Sequence, residues 1–146
     1  MLDAFPLLVL VLTGVYFIAL GLLCVLAPTR ASTFLMGFAG SAGAHYAELS
    51  VRIVVGLAFV AQAAQSPFPM AFSGFGWLLV GTSAVLVLFP WRWHRAFAQR
   101  AVPQALRYLP AIAVGSLGLG VFVLWCVFPA LAALLGLDIP SWHLPP

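Results

Sequence analysis

Charge is the scarcest property of this amino-acid sequence. Lysine is absent, and charged residues make up 6% of the chain, whereas a soluble domain carries about 25%. The stretch from Ile53 to Trp91 contains no charged side chain, and hydrophobic residues make up 64% of the whole sequence. These values lie outside the range of soluble domains and indicate an integral membrane protein.

The uncharged runs predict an all-α membrane protein with a single domain, in which four transmembrane helices form a compact bundle. A helix needs about 20 residues to cross a hydrocarbon core about 30 Å thick. The middle run is long enough for two helices and is divided by the helix-breaking sequence Gln65-Ser-Pro-Phe-Pro. The predicted spans cover about 4–27, 45–64, 70–89 and 109–135. We expect the first to be a retained helix, because Asp3 stands where a signal peptide needs basic residues.

The second span cannot consist of uncharged residues alone. Ile53–Ala64 is too short to cross a bilayer, so this helix must extend back to about His45. It therefore carries Glu48 and Arg52 into the membrane.

Basic residues show a strong asymmetry along the chain. In the four-helix arrangement all of them lie on the side of the first and third connections, and the termini carry none. They are Arg30, Arg52, Arg92, Arg95, Arg100 and Arg107. Arginine-rich short loops stay in the cytoplasm, so both termini are predicted to lie outside, in a plasma membrane or bacterial inner membrane. The net charge of +3 thus reflects topology, and no nucleic-acid partner is expected.

The two halves of the sequence share several features at an offset of 62 residues. Gly14 aligns with Gly76, and the Pro-x-Arg sequences that begin at Pro28 and Pro90 align with each other. This pattern indicates a 2+2 parallel repeat about an axis along the membrane normal. Chance similarity of glycine- and leucine-rich spans is the alternative, since proline after a helix and arginine at the cytoplasmic face follow a general rule.

Two segments between the spans are too polar to cross and too apolar to be plain loops. Within Trp91–Val102, the residues Trp93, Phe97 and Ala101 recur at helical spacing. The arginines of this segment lie largely on other faces of the helix. This predicts a short amphipathic helix at the cytoplasmic interface, and Thr29–Ala39 is a weaker version of it. The predicted contacts with lipid head groups, which we expect to be anionic, are Trp91, Arg92, Trp93, Arg95 and Arg100.

The candidate intramembrane polar site consists of His45, Glu48 and Arg52. They stand at i, i+3 and i+7, so they share one face of the second helix, and Glu48 can pair with Arg52. A structural interpretation is a paired helix start that helps to set orientation, with Arg52 extending toward the interface. A functional interpretation is a proton-titratable or head-group-binding site facing the bundle interior.

Other chemistry finds little support in the residues. Haem would need two axial histidines at similar depth, and the only partner for His45 on its side is the interfacial His94. No cysteine or carboxylate cluster has metal-ligand spacing, and Cys24 and Cys126 are predicted to be free thiols at different depths. No cofactor is therefore expected. The sparse polar groups within the spans are predicted to form interhelical hydrogen bonds, and they are Thr13, Tyr16, Thr82, Ser83 and Ser116.

These observations favour a small multi-pass accessory or scaffold protein that binds membrane lipids, a second membrane protein or further copies of itself. The sequence shows no nucleophilic side chain paired with a general base and no cofactor motif, so it does not favour an enzyme. The alternative function is a subunit of a small oligomeric transporter or channel. That function would need Glu48 and Arg52 to face a cavity.

Overall fold

The computed structural model describes residues 4–37, 41–88 and 107–137, without the side chains of 35–37. Within this part all regular elements are helical. The helices are α1 (Ala4–Leu26), α2 (Pro28–Gly37), α3 (Ala42–Gln62), α4 (Pro69–Leu88) and α5 (Leu109–Leu134). The four longer ones, α1, α3, α4 and α5, are each long and apolar enough to cross a membrane. This confirms the prediction of four spanning lengths and supports the assignment as a membrane protein.

Local signals explain where α3 begins and where its turn to α4 lies. The Ser41 side chain accepts a hydrogen bond from the Ala44 N–H at 3.1 Å, which caps the helix. As a result α3 begins three residues before the predicted start. At its other end a short 3-10 turn, Ala63–Gln65, leads into a tight connection in which Ser66 Oγ accepts from the Phe68 N–H at 2.9 Å.

The spanning helices pack as antiparallel neighbours in two main pairs, α1 with α5 and α3 with α4, and α1 also contacts α3. We call the end of the molecule that contains Ser66–Phe68 the turn end. The opposite end, which contains the exposed residues Arg30 and Arg107, is the arginine end.

Each main pair is built around a contact of glycine on glycine. In the α3–α4 pair, a Cβ added to Gly76 would lie 2.6 Å from the Gly56 carbonyl oxygen. In the α1–α5 pair, a Cβ added to Gly120 would lie 2.7 Å from the Gly14 carbonyl oxygen. Backbones this close leave no room for any side chain. Small residues thus allow the two helix backbones to approach closely at each of these crossings.

Two apolar clusters lie at different heights. The cluster toward the turn end joins all four spanning helices. Its buried members are Leu7, Leu10, Ala58, Phe59, Ala63, Phe72, Val123, Cys126 and Val127. The cluster toward the arginine end joins only α1, α2 and α5 through Leu20, Cys24, Ala31, Leu109 and Ala113. The two cysteines are thus buried in separate clusters and are free, as predicted.

The helix α2 lies within the segment predicted to be a short interfacial helix. It spans Pro28–Gly37, and Ala31 is fully buried against α1 and α5 while Arg30 stays exposed. The helical part of that prediction is confirmed. Its position at a membrane interface stays a prediction.

Candidate functional site

Glu48 and Arg52 lie in the half of α3 nearer the arginine end, one helical turn apart. Because α3 begins at Ala42, Glu48 falls in the second turn and Arg52 in the third. Glu48 Oε1 lies 3.7 Å from Arg52 Nη1. The i, i+4 spacing read from the sequence is therefore an ion pair in the structure.

Thr82 of α4 joins this pair, and we call Glu48, Arg52 and Thr82 the polar cluster. Arg52 Nη2 donates a hydrogen bond to Thr82 Oγ1 at 3.5 Å. The Thr82 hydroxyl uses its own proton on the Leu78 carbonyl oxygen at 2.7 Å, so toward Arg52 it acts as an acceptor. Thr82 thus makes the interhelical bond predicted for it. Thr13 does not, because it donates to the Val9 carbonyl oxygen within α1 at 2.7 Å.

The polar cluster bridges α3 and α4, and Glu48 also lies within electrostatic range of Tyr16 of α1. The Arg52 and Glu48 side chains are 35% and 29% exposed, and Thr82 is exposed as well. These groups are therefore partly accessible from outside the protein. This arrangement differs from a charged site enclosed between all four helices.

The bonding capacity of Arg52 is only partly used within the described residues. A guanidinium has five N–H donors, and a strong charge-assisted bond to a carboxylate is about 2.7–2.9 Å long. The distance to Glu48 is 3.7 Å, the bond to Thr82 is 3.5 Å, and the buried Nε finds no acceptor there. Both charged groups therefore keep hydrogen-bonding capacity toward a further partner.

His45, the third predicted site residue, has surroundings that differ from those of the polar cluster. It is 2% exposed and belongs to the buried face of α3 that continues through Leu49 and Gly56, with its ring 5.3 Å from that of Tyr46. Ser83, next to Thr82 on α4, is fully buried, and its Oγ has no hydrogen-bond partner in the described structure. His45 and Ser83 are thus buried, whereas the three groups of the polar cluster are partly or fully exposed.

The α1–α5 pair offers an internal comparison for the polar cluster. Positions can be counted from each glycine contact toward the arginine end. On this count Ser116 and Ile112 of α5 correspond to Arg52 and Glu48, and Leu20 of α1 corresponds to Thr82. The α1–α5 pair forms the same kind of crossing with these mostly apolar residues. A glycine crossing therefore does not require an ion pair beside it.

No group of three potential metal ligands occurs among the described residues. His94, which was the only candidate haem partner of His45, lies outside them, as does the predicted basic helix Trp91–Val102. The lipid contacts predicted for Trp91, Arg92, Trp93, Arg95 and Arg100 accordingly stay predictions.

Comparison of the chain with protein-family models, with curated proteins and with solved structures found no match.

The sequence alone did not connect Thr82 with Arg52. The two residues are 30 positions apart, and several threonine and serine residues of the spans were equal candidates for interhelical bonds. The useful signal would have been the tight Gln65–Pro69 connection. It makes α3 and α4 antiparallel neighbours, which sets Thr82 at about the height of Arg52.

Proposed function

We propose that this chain is a small multi-pass accessory or scaffold protein that binds a membrane lipid or a partner protein at the polar cluster. The observation that carries this proposal is the partial exposure of the polar cluster. A charged pair that is about one third exposed on a spanning helix is costly in contact with lipid tails, and a bound polar partner removes that cost.

The character of the described surface supports the same function. Large apolar side chains are exposed along all four spanning helices, with α4 the least covered by the rest of the protein. On α4, Trp77, Leu78 and Val85 are each more than half exposed. Such a surface suits contact with lipid tails or with apolar helices of another membrane protein, where small residues and shape complementarity guide association.

We further propose the topology that the arginine distribution predicts. The arginine end faces the cytoplasm, both termini lie outside, and the membrane is a plasma or bacterial inner membrane. In support, Arg30 and Arg107 are exposed at the same end, and Arg52 lies in the half of α3 nearest to them.

We also propose that the four spanning helices form one compact bundle with a 2+2 parallel repeat. The two glycine crossings support it, because Gly14 and Ile18 of α1 contact α5 as Gly76 and Val80 of α4 contact α3. The offset between α1 and α4 is the 62 residues read from the sequence. The ungapped offset of 62 aligns Gly56 with Gly118, but a Cβ added to Gly118 meets nothing within 4 Å, and the crossing glycine of α5 is Gly120. The proposed repeat therefore needs a two-residue insertion before Gly120.

The function is tested by detergent-free extraction in polymer nanodiscs followed by native mass spectrometry. The native protein and the double variant Glu48→Gln/Arg52→Gln are compared. We expect a lipid or partner retained in fixed stoichiometry by the native protein and lost from the folded double variant. Identical composition of both samples would contradict the proposal. Proton-dependent solute flux in proteoliposomes that requires Glu48 would replace it with the transporter function.

The proposed topology gives a prediction for cysteine labelling. In a Cys24→Ala/Cys126→Ala background, the exposed positions Gln65 and Tyr108 are changed to cysteine one at a time. A membrane-impermeant maleimide added to intact cells should label residue 65 at once and residue 108 only after permeabilisation, because arginine-rich connections stay in the cytoplasm. The reverse pattern would show that the arginine end faces outward.

A further inference from the structure

The polar cluster presents a cation and an anion side by side, and both side chains are partly exposed. Glu48 lies four residues nearer the arginine end than Arg52, which is about 6 Å along the helix axis. Side chains of a helix lean toward its N-terminus, and the N-terminus of α3 is at the arginine end. Both side chains therefore lean toward the same membrane surface, and the backbone position of Glu48 is the nearer of the two to it.

This order matches the head group of one class of phospholipid. In phosphatidylethanolamine the phosphate lies next to the glycerol, at the greater depth, and a primary ammonium follows it two carbons further toward water. Arg52, the deeper group, suits the phosphate, since guanidinium is a strong donor to phosphate oxygens. Glu48, the shallower group, suits the ammonium.

We propose that the polar cluster binds a zwitterionic phospholipid whose head group carries a phosphate and a primary ammonium. This rests on the proposed function and names its ligand. Arg52 donates to the phosphate, Glu48 accepts from the ammonium, and Thr82 positions the guanidinium by accepting from Nη2. Thr82 gives its own proton to Leu78, so it does not contribute a donor to the lipid.

Glu48 and Arg52 are only loosely paired with each other, and this leaves both groups able to bind the lipid head group. At 3.7 Å the carboxylate and guanidinium attract each other without a short hydrogen bond. Each group therefore has donors or acceptors for an opposite charge on its exposed side. An anionic head group would satisfy Arg52 but would lie beside Glu48, where like charges repel. A choline head group carries the positive charge without any N–H donor for Glu48.

The head group must be drawn inward to reach this depth. Arg52 shortens the distance by extending toward the interface, and a bilayer thins locally around a charged residue. The neighbouring α1–α5 pair has Ser116 and Ile112 at the corresponding positions. It therefore lacks both charges and is expected to bind no head group in this way.

The test uses the full chain in nanodiscs that contain phosphatidylethanolamine, phosphatidylcholine and phosphatidylglycerol with identical acyl chains in equal amounts. Lipids that stay bound are counted by native mass spectrometry. We expect the native protein to retain phosphatidylethanolamine about tenfold over phosphatidylcholine, as one charge-assisted hydrogen bond would provide. Equal retention of these two lipids by the native protein overturns the proposal without recourse to any variant.

Variants then assign the two charges, with far-UV circular dichroism and size exclusion selecting folded protein. Arg52→Gln should lose most of the bound phosphatidylethanolamine. Glu48→Gln should lose the preference over phosphatidylcholine and gain phosphatidylglycerol. Arg30→Gln, which removes an exposed arginine of α2, is the matched control and should behave as the native protein. Unchanged lipid selection in both cluster variants would overturn the proposal.

Two other outcomes separate this inference from the broader function. If phosphatidylglycerol or a second protein copy occupies the cluster and the charge variants release it, the named ligand is wrong while binding at the polar cluster stands. If the native protein retains nothing that the charge variants release, both the ligand and the proposed function fail.

Discussion

Gly76→Ala is expected to destabilise the folded protein by about 2 kcal/mol or more, the range of overpacked interiors. The added Cβ would lie 2.6 Å from the Gly56 carbonyl oxygen and 3.0 Å from the Val60 backbone nitrogen. Backbone atoms of a helix cannot move aside as a flexible side chain can, so α3 and α4 must separate along their crossing. Unfolding by SDS titration, followed by tryptophan fluorescence and circular dichroism, measures the loss.

Gly74→Ala is the matched control for this prediction. Gly74 lies two residues away on the same helix, and a Cβ added there meets no atom within 4 Å. Both changes have the same chemistry and the same effect on helix propensity. The difference between their free energies of unfolding therefore measures the clash at the α3–α4 crossing. Equal stability of the two variants would mean that α4 does not pack on α3 through Gly76.

Glu48→Gln is expected to lower stability by roughly 2 kcal/mol, somewhat less than the full cost of a charge at the centre of a membrane helix. The change leaves Arg52 without the carboxylate that lies 3.7 Å from it. The double change Glu48→Gln/Arg52→Gln removes both charges and should recover part of the loss. The coupling is obtained from a double-mutant cycle on the same SDS unfolding curves.

Thr82→Val provides a second reference for the ion pair. It removes the acceptor for Arg52 Nη2 while leaving both charges in place, and it should cost less than Glu48→Gln. Strictly additive losses in the Glu48 and Arg52 cycle would show that the two side chains do not stabilise each other. A fully stable Glu48→Gln variant that no longer prefers phosphatidylethanolamine would assign the pair to binding and not to folding.

The spans could be predicted from sequence because each depends on length and charge. The predicted starts at residues 4 and 109 agree with α1 and α5, and Pro69 begins α4 one residue before its predicted start. The length that a bilayer requires predicts a start of α3 at about His45, because Ile53–Ala64 alone is too short to cross. The helix begins at Ala42, since Ser41 provides a cap that hydropathy does not detect.

The glycine contacts between the helices could not be predicted, because they depend on backbone positions that composition does not reveal. Gly74 and Gly76 lie two residues apart in an apolar helix, yet only Gly76 meets another backbone. The same limit applies to the candidate site. Spacing within α3 predicts the pairing of Glu48 with Arg52, whereas the partial exposure of the pair and its bond to Thr82 depend on how the helices pack.

The pairing of α1 with α5 has a consequence for synthesis of the chain. The α3–α4 pair joins helices that are consecutive in sequence, so it can close as soon as both have been made. The α1–α5 pair joins the first helix to the last, and synthesis proceeds from the N-terminus. Until Leu109–Leu134 is translated, Gly14 and Gly21 of α1 lack the helix they pack against. A chain that stops after α4 therefore exposes an unfilled glycine surface on α1.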